Sequence, residues 1–250
     1  MSLRTMLFSA VLIVICTAGI GWGAFSVPER LVFDVSWSGI KAGTAVQEIV
    51  SSGDGVTITH TAKSADWLSV FYKVDDHMEA VMAKGESGQL FGVPLIYREN
   101  LSEGRTRFHK EVTFDHTGRN AVIVNHLDNS RTNFPITPIT YDSLSCFYFA
   151  RLQNVEVGKS YFVDVFDGKR LHNTEVKVLR REELKSDVGT FKTILIMPIL
   201  KTNGIFSKSG DLYIWLSDDE RHIPVKMKSK VKIGSITAKL VGGSYWPEKK

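Results

Sequence analysis

The sequence has little of what marks a specialised class of protein. Its 250 residues include two cysteines, seven prolines and 20 glycines, and no low-complexity tract is visible. This composition excludes a disulfide-rich scaffold, a collagen-like fibre and a disordered chain. Because 43% of the residues are hydrophobic, a chain of this length can bury a stable core without covalent crosslinks. We expect a globular protein with one core.

Neither sign of charge predominates in the sequence. The 31 basic and 27 acidic residues give a formal net charge of +4, and they are scattered along the chain. A nucleic-acid-binding protein usually concentrates basic residues in one patch or stripe. We therefore expect no nucleic-acid partner.

The spacings that mark common catalytic and metal sites are missing. The seven histidines form no H-x-H or H-E-x-x-H pattern, and there is neither a G-x-S-x-G motif nor a phosphate-binding glycine loop. Asp75, Asp76 and His77 form an acidic and imidazole cluster, but alternating carboxylates on a strand point to opposite faces. We predict a protein without catalytic residues, metal site or cofactor.

No hydrophobic run is long enough to span a membrane comfortably, but a shorter one lies near the N-terminus. Arg4 precedes the eleven-residue apolar run from Met6 to Cys16, and small residues follow it. This pattern predicts a secretory signal peptide over residues 1–24, with the cleavage bond left open, and an exported, periplasmic protein that is soluble after cleavage. An uncleaved N-terminal membrane anchor is the alternative. Cleavage would leave Cys146 without a partner for an intramolecular disulfide.

Hydrophobic side chains recur at every second residue from Leu31 onward, which is the pattern of β-strands. Near the C-terminus, four lysines alternate with mostly apolar residues, so a strand would place their ammonium groups on one basic face. These residues are Lys226, Lys228, Lys230 and Lys232. Contact with anionic lipid or polysaccharide is one interpretation of this face. The other is an edge strand that uses lysines to block unwanted pairing.

Two stretches depart from the strand pattern. A short helical turn is predicted over residues 66–72, capped by Asp66, and a buried helix over 142–152, where nearly every side of the helix is apolar. The predicted fold is mainly β: a large curved antiparallel sheet, resembling a half-barrel, barrel or sandwich, with one buried helix. Residues 25–250 form a single domain, and the segment 133–141 is the candidate boundary between two groups of strands.

Four short segments, in this order along the chain, carry a family resemblance. They are Val35–Gly43 (VSWSGIKAG), Tyr141–Ser145 (YDSLS) with Tyr148 and Arg151, Gly189–Phe191 (GTF) and Trp215–Val225 (WLSDDERHIPV). Together they resemble the bacterial family catalogued as domain of unknown function 3108, over nearly the whole mature chain. The resemblance implies an exported, β-rich envelope protein and brings no assigned activity.

Aromatic and methionine side chains form the candidate ligand-binding site. A curved sheet and an apolar helix are expected to enclose an elongated cavity. The predicted lining is Trp67, Phe71, Tyr72, Met78, Met82, Phe147, Tyr148 and Trp215. The alternative is that these side chains only fill the core. Asp142 and Arg151, which bound the predicted helix, are interpreted as structural. Asp142 would be stabilised by the helix dipole, and a buried Arg151 would need a carboxylate or carbonyl partner.

The sequence is compatible with three functions. The first, which we predict, is a non-enzymatic envelope protein that binds an apolar or amphipathic, lipid-like ligand in a β cavity. The second is an interaction module that docks another envelope protein through a sheet edge or the basic face, where contact with a membrane surface is also an option. The third is a hydrolase of an envelope polymer, whose catalytic groups meet only in the folded chain.

Overall fold

The structure is a computed structural model that describes residues 25–86, 89–199, 211–231 and 233–246. The first eight strands are β1 (Glu29–Trp37), β2 (Ile40–Ser52), β3 (Gly55–Ser64), β4 (Asp75–Met82), β5 (Pro94–Glu103), β6 (Thr106–Asp115), β7 (Asn120–Asn125) and β8 (Ser130–Pro135). The others are β9 (Thr140–Asp142), β10 (Ser160–Phe166), β11 (Leu171–Ser186), β12 (Gly189–Pro198), β13 (Leu212–Ser217), β14 (Pro224–Lys230) and β15 (Ser235–Gly243). The helices are α1 (Asp66–Ser69) and α2 (Ser145–Arg151). The predicted signal peptide, residues 1–24, lies outside the described residues.

All of these strands belong to one sheet, in the order β8-β7-β6-β5-β4-β3-β2-β1-β15-β14-β13-β12-β11-β10-β9. Neighbouring strands pair antiparallel, except that β9 and β10 are parallel. The chain therefore starts in the middle of the sheet, reaches one edge at β8, crosses to the other edge at β9 and returns to pair β15 with β1.

The two edges of this sheet lie close together. β8 ends at Pro135 and β9 begins at Thr140, and so short a connection spans at most about 18 Å. The edges of a flat sheet with this many strands would be about 65 Å apart. The sheet is therefore strongly curved, which confirms the predicted mainly β, barrel-like fold. Phe134 of β8 lies 5.4 Å from Phe166 of β10, so rings near the two edges touch.

Side-chain alternation gives every strand an inner and an outer face. On β1, Leu31 and Phe33 are fully buried, and they pair with Gln47 and Ala45 of β2, which point to the same side. We call this side the inner face. The hydrophobic cluster on it joins residues of β2 to β7 with residues of β10 to β13. The two groups of strands on either side of the segment 133–141 thus share a core.

The helix α2 packs into this core and is largely buried, as predicted. Tyr148 is fully buried, and its ring meets that of Phe25 edge-on at 5.5 Å. The helix is shorter than predicted, because Asp142 ends β9 and its carboxylate accepts hydrogen bonds from the backbone N–H groups of Leu144 and Ser145. No helix among the described residues is long and apolar enough to cross a membrane.

The short helix α1 does not begin as predicted. Ala65 occupies the N-cap position without a side-chain cap, and Asp66 is already helical. Ser64 organises the loop instead: its Oγ lies 2.7 Å from Ser69 Oγ and accepts a 2.9 Å hydrogen bond from the Val74 N–H. The prediction that Asp66 caps the helix was wrong, because the Ser64 hydroxyl, two residues earlier, makes the hydrogen bonds that organise this loop.

The lysine-rich strand β14 is not an edge strand. Lys226 pairs with Trp215 of β13 on one side and with Lys239 of β15 on the other. Protection of a free sheet edge is therefore wrong as an explanation of these lysines. The alternation itself is as predicted, since Val225 is buried while Lys228 is exposed. Lys232 lies outside the described residues.

Candidate ligand-binding cup

A row of mainly polar side chains crosses the inner face of β2 to β7. Direct pairing between neighbouring strands connects Gln47, His60, Met78, Glu99, Lys110 and Asn125, from β2 to β7. We call this row the polar belt. Most inner positions on either side of the belt are apolar, with Asp76 of β4 an exception, so the belt interrupts a mainly hydrophobic face.

On one side of the belt the inner face is closed. The adjacent row of paired residues consists of Ile49, Ile58, Ala80, Tyr97, Val112 and Ile123. None of them is more than 7% exposed. Together with α2, this row fills the interior at the end of the sheet where β1 begins.

On the other side of the belt the inner face is only partly covered. Phe33 and Ala45 are buried there, but other apolar inner side chains are partly exposed, and we call these the wall. They are Val35, Ala62, Leu101, Phe108, Leu212, Met227 and Ala238. The wall positions are thus less buried than the closed row, although Val35, Ala62, Met227 and Ala238 pack against a second buried cluster. We call the region bounded by the wall the cup, with the belt at its base and its mouth at the end where β1 finishes.

Hydrogen bonds and charge organise the base of the cup. The Tyr97 hydroxyl lies 3.3 Å from Met78 Sδ and 3.4 Å from Glu99 Oε2. Lys110 Nζ lies 3.5 Å from Glu99 Oε1 and 4.9 Å from the centre of the Phe108 ring. Burial and the charge of Glu99 raise the pKa of Tyr97 well above its usual value, so the phenol is neutral and donates its proton.

Two buried atoms of the belt have no hydrogen-bond partner among the described residues. They are Gln47 Oε1 and His60 Nδ1. Burial, with a smaller effect of His77, lowers the pKa of His60 to about 4, so the imidazole is neutral at neutral pH. Unpaired buried polar atoms are costly. A hydrogen-bond partner for either atom would therefore be favourable.

Two carboxyl groups meet closer to the mouth. Asp76 is buried and accepts a 2.9 Å hydrogen bond from the Ser102 N–H, and Glu103 lies near it. Burial raises the pKa of both groups, and for Glu103 the charge of Asp76 raises it further.

Three predicted lining residues lie outside the cup. Phe71 is 83% exposed, and Trp67 and Tyr72 are about half exposed. The Trp67 Nε1 group donates a 2.9 Å hydrogen bond to the backbone oxygen of Lys41, which holds the loop against the neighbouring hairpin and away from the inner face. The prediction that these rings line a cavity was therefore wrong.

Four others lie on the inner face or on α2. Met78 belongs to the belt, and Phe147 is partly buried, 6.0 Å from the ring of Tyr148. Met82 and Tyr148 are almost fully buried, so they fill the core, as the alternative interpretation held. Tyr148 keeps an unpaired buried hydroxyl.

Trp215 lies on the outer face, with the lysine row. Lys226 Nζ lies 4.5 Å from the centre of the indole ring, and the indole N–H donates to the carboxylate of Glu182. Burial, followed by the charges of Lys228 and Lys239, lowers the pKa of Lys226. Trp215 was thus wrongly placed in the cavity lining.

Gln47, His60, Glu99 and Lys110 were missed as site residues. Their signal was present in the sequence, because His60 follows Val56 and Ile58 at two-residue steps, in the phase of the buried side chains. A polar residue in an apolar phase predicts an inward-facing polar group. The register that joins these residues into a belt could not be read from the sequence.

The described part of the chain gives little support for a metal site or a reactive thiol. No group of three His, Cys, Asp or Glu residues there could hold a metal ion. Burial, and to a smaller extent the charge of Asp142, raises the pKa of the Cys146 thiol to about 12. A thiol with this pKa is a poor nucleophile at neutral pH.

Residues 32–241 match the family described as "Protein of unknown function (DUF3108)". The chain belongs to this family. The DUF3108 chain is similar in structure to the beta-barrel-like protein of domain of unknown function DUF1849 from Brucella abortus, with a TM-score of 0.55 and 14% identity over 87% of this chain and 97% of that chain. At this identity the likeness concerns the fold alone. No curated protein matches the DUF3108 chain.

Proposed function

We propose that this DUF3108 protein is an exported, non-enzymatic cell-envelope protein that binds an amphipathic, lipid-like molecule in the cup. The observation that carries the proposal is the combination of partly exposed apolar side chains on the wall with unpaired buried polar atoms at the base. An apolar chain would cover the wall and gain about 25 cal/mol for each Å² removed from water. Its polar group would lie against the belt.

The belt favours a ligand with a polar group that both donates and accepts hydrogen bonds. Lys110 offers a cation, Glu99 an anion, and Gln47 Oε1 an unpaired acceptor. Ligand sites of this kind are mostly apolar, with a few polar groups that fix the orientation of the ligand. The signal-like pattern of residues 1–24 supports export, which would give the protein access to envelope lipids.

Native mass spectrometry of protein purified from its own host, without detergent, tests this proposal. We expect a fraction of the wild-type protein to carry a bound molecule that organic extraction removes and identifies. The Ala62→Trp variant fills the cup from the wall and is expected to lose the adduct. Thr61→Trp, one residue away on the outer face, is the matched control and is expected to keep it.

A further variant guards against a misfolded Ala62→Trp protein. Lys110→Met keeps the approximate volume of the side chain and removes its charge, so the class or the amount of bound molecule is expected to change while the thermal unfolding curve stays close to that of the wild type. If wild-type protein is recovered empty in repeated preparations, or if Thr61→Trp loses the adduct as Ala62→Trp does, the proposal is wrong.

A docking module is the second candidate function, and one observation favours it. β8 forms an edge of the sheet, and five of its six residues are exposed. A partner strand could add to such an edge through backbone hydrogen bonds. A photoreactive residue at Thr132, compared with one at the exposed Thr113 of β6, separates the candidates: a stoichiometric protein crosslink confined to position 132 would favour docking.

A further inference from the structure

Exposed apolar side chains collect at one end of the sheet. Of the thirteen large hydrophobic residues that are exposed in the described part of the chain, eight lie on strand ends, hairpins and loops where β1 finishes and β2 begins. They are Trp37, Ile40, Trp67, Val70, Phe71, Tyr72, Leu127 and Ile233. The alternating strand directions bring these connections to the same end of the sheet. We call it the apolar end.

The loop that carries most of these residues is held in place. The backbone N–H of Ser64 donates to the Val74 oxygen at 3.0 Å, and the Gly104 N–H donates to the Lys73 oxygen at 2.8 Å. The ring of Tyr72 packs so closely on Gly104 that a Cβ there would lie 2.6 Å from it. Val70 and Phe71, 77% and 83% exposed, thus project from an ordered support. An apolar tip fixed in an outward position is typical of an interaction surface.

The same end is basic. Its connections and adjacent strand ends, residues 36–42, 63–76, 103–107, 125–131, 167–170 and the described part of 228–235, hold ten exposed basic side chains. They are Lys41, Lys63, Lys73, Arg105, Arg107, Arg131, Lys169, Arg170, Lys228 and Lys230. Four acidic side chains at this end are exposed, Asp66, Asp75 and Asp128 in these segments and Asp211 just before β13. A surface that is both apolar and basic complements an anionic lipid layer.

The opposite end of the sheet has the reverse balance among the described residues. Its connections and adjacent strand ends expose five basic side chains, Arg30, Lys84, Arg119, Lys159 and Lys185. They expose seven acidic ones, Asp54, Glu86, Asp115, Glu156, Asp187, Asp219 and Glu220. An anionic surface would therefore attract one end of the molecule and repel the other, which orients the approach.

We propose that the apolar end docks on an anionic phospholipid bilayer. Ile40, Val70, Phe71 and Ile233 would enter the interfacial region, and the ten basic side chains would face the headgroups. Trp37 and Trp67 belong to the same end, and tryptophan is favoured at membrane interfaces. This inference goes beyond the proposed function and does not require a bound ligand. The mouth of the cup opens at this end, so docking would bring it against the bilayer.

Vesicle sedimentation with the purified protein tests the docking. The probes are large unilamellar vesicles of phosphatidylethanolamine with phosphatidylglycerol, compared with phosphatidylcholine alone. We expect binding to the anionic vesicles that is at least about tenfold tighter and that weakens as salt is added. The double variant Val70→Ser/Phe71→Ser is expected to bind about tenfold more weakly. Phe162→Ser, an exposed ring on the outer face of β10, is the matched control and is expected to bind like the wild type.

The readouts also separate failure of docking from failure of the cup. Circular dichroism and thermal unfolding check that each variant is folded, and Ile233→Ser, on another hairpin, repeats the test independently of α1. Absence of binding to anionic vesicles, or equal weakening by Phe162→Ser, would overturn the docking proposal. A photoreactive residue at position 71 that captures a protein rather than lipid would also overturn it. The adduct in native mass spectra reports on the cup alone.

Discussion

Arg151 of α2 and Glu29 of β1 form a bidentate ion pair in which both side chains are fully buried, with N–O distances of 2.6 and 2.9 Å. The same guanidinium donates to the backbone oxygens of Arg221 and His222 and lies 3.9 Å above the ring of Phe25. The pair therefore fastens the inner helix to the first strand and to the β13–β14 turn. It satisfies the expectation that a buried Arg151 has carboxylate and carbonyl partners.

Removing one member of this pair is expected to be costly. Arg151→Met should lower the free energy of unfolding by about 3–5 kcal/mol, because Glu29 is left buried without its cation. The double variant Arg151→Met/Glu29→Leu should recover much of that loss, since no unpaired charge remains. Urea denaturation of the wild type and the variants measures both quantities. A double variant as unstable as the single one would show that the pair does not act as a unit.

The buried His60 is expected to make stability depend on pH. Its pKa is about 4 in the fold, because of burial, against 6.5 in the unfolded chain. Above pH 6.5 His60 does not change the free energy of unfolding. As the pH falls from 6.5 towards 4, only the unfolded chain binds a proton at this site, and the free energy of unfolding decreases by up to about 3 kcal/mol. His60→Gln removes the titration. Between pH 7 and pH 4 the wild type should lose more unfolding free energy than the variant, whereas parallel curves would contradict the prediction.

Gly43 on β2 is expected to tolerate no side chain. A Cβ at this position would lie 2.2 Å from the backbone oxygen of Lys63 on β3, so the strands would have to separate locally. Gly43→Ala should destabilise the fold by about 1–3 kcal/mol. Gly242→Ala on β15 is the control, because a Cβ there meets nothing within 4 Å. Equal melting temperatures for the two variants would show that the strand spacing is wrong.

Two tyrosines are expected to respond differently to loss of their hydroxyl group. Tyr97→Phe removes the contacts with Met78 and Glu99 and should cost about 0.5–1.5 kcal/mol. Tyr148→Phe removes a buried hydroxyl without a partner among the described residues. Its stability should be unchanged or about 1 kcal/mol higher. Differential scanning calorimetry would contradict this prediction if Tyr148→Phe were the less stable variant.

Much of the fold could be predicted because strand alternation is local. Leu31 and Phe33, two residues apart, are both buried on the inner face, and the lysines of β14 alternate with buried residues as the spacing indicated. The order of strands in the sheet could not be predicted from the sequence, because it depends on which distant strands pair. The pairing of β1 with β15, about 200 residues apart, leaves no local pattern.

The candidate site was harder to predict. The spacing of Trp67 and Phe71 correctly indicated a helical turn, but spacing alone does not say whether a turn faces the core or the solvent. His60 and Lys110 stood in an apolar phase of their strands, yet only the register of β3 to β6 brings them into one row. Asp142 was expected within the helix. It instead ends β9, and its carboxylate stabilises the turn that precedes the helix.

Photo-crosslinking inside cells tests the central claim, that the cup holds a lipid-like molecule, most directly. Photoreactive methionine can replace the natural residue throughout the chain. Met78 and Met227 are partly exposed on the inner face, whereas Met197 is partly exposed on the outer face of β12. We expect lipid-like adducts on peptides with Met78 and Met227 and none on the peptide with Met197. Adducts confined to Met197, or adducts on none of the three, would contradict it.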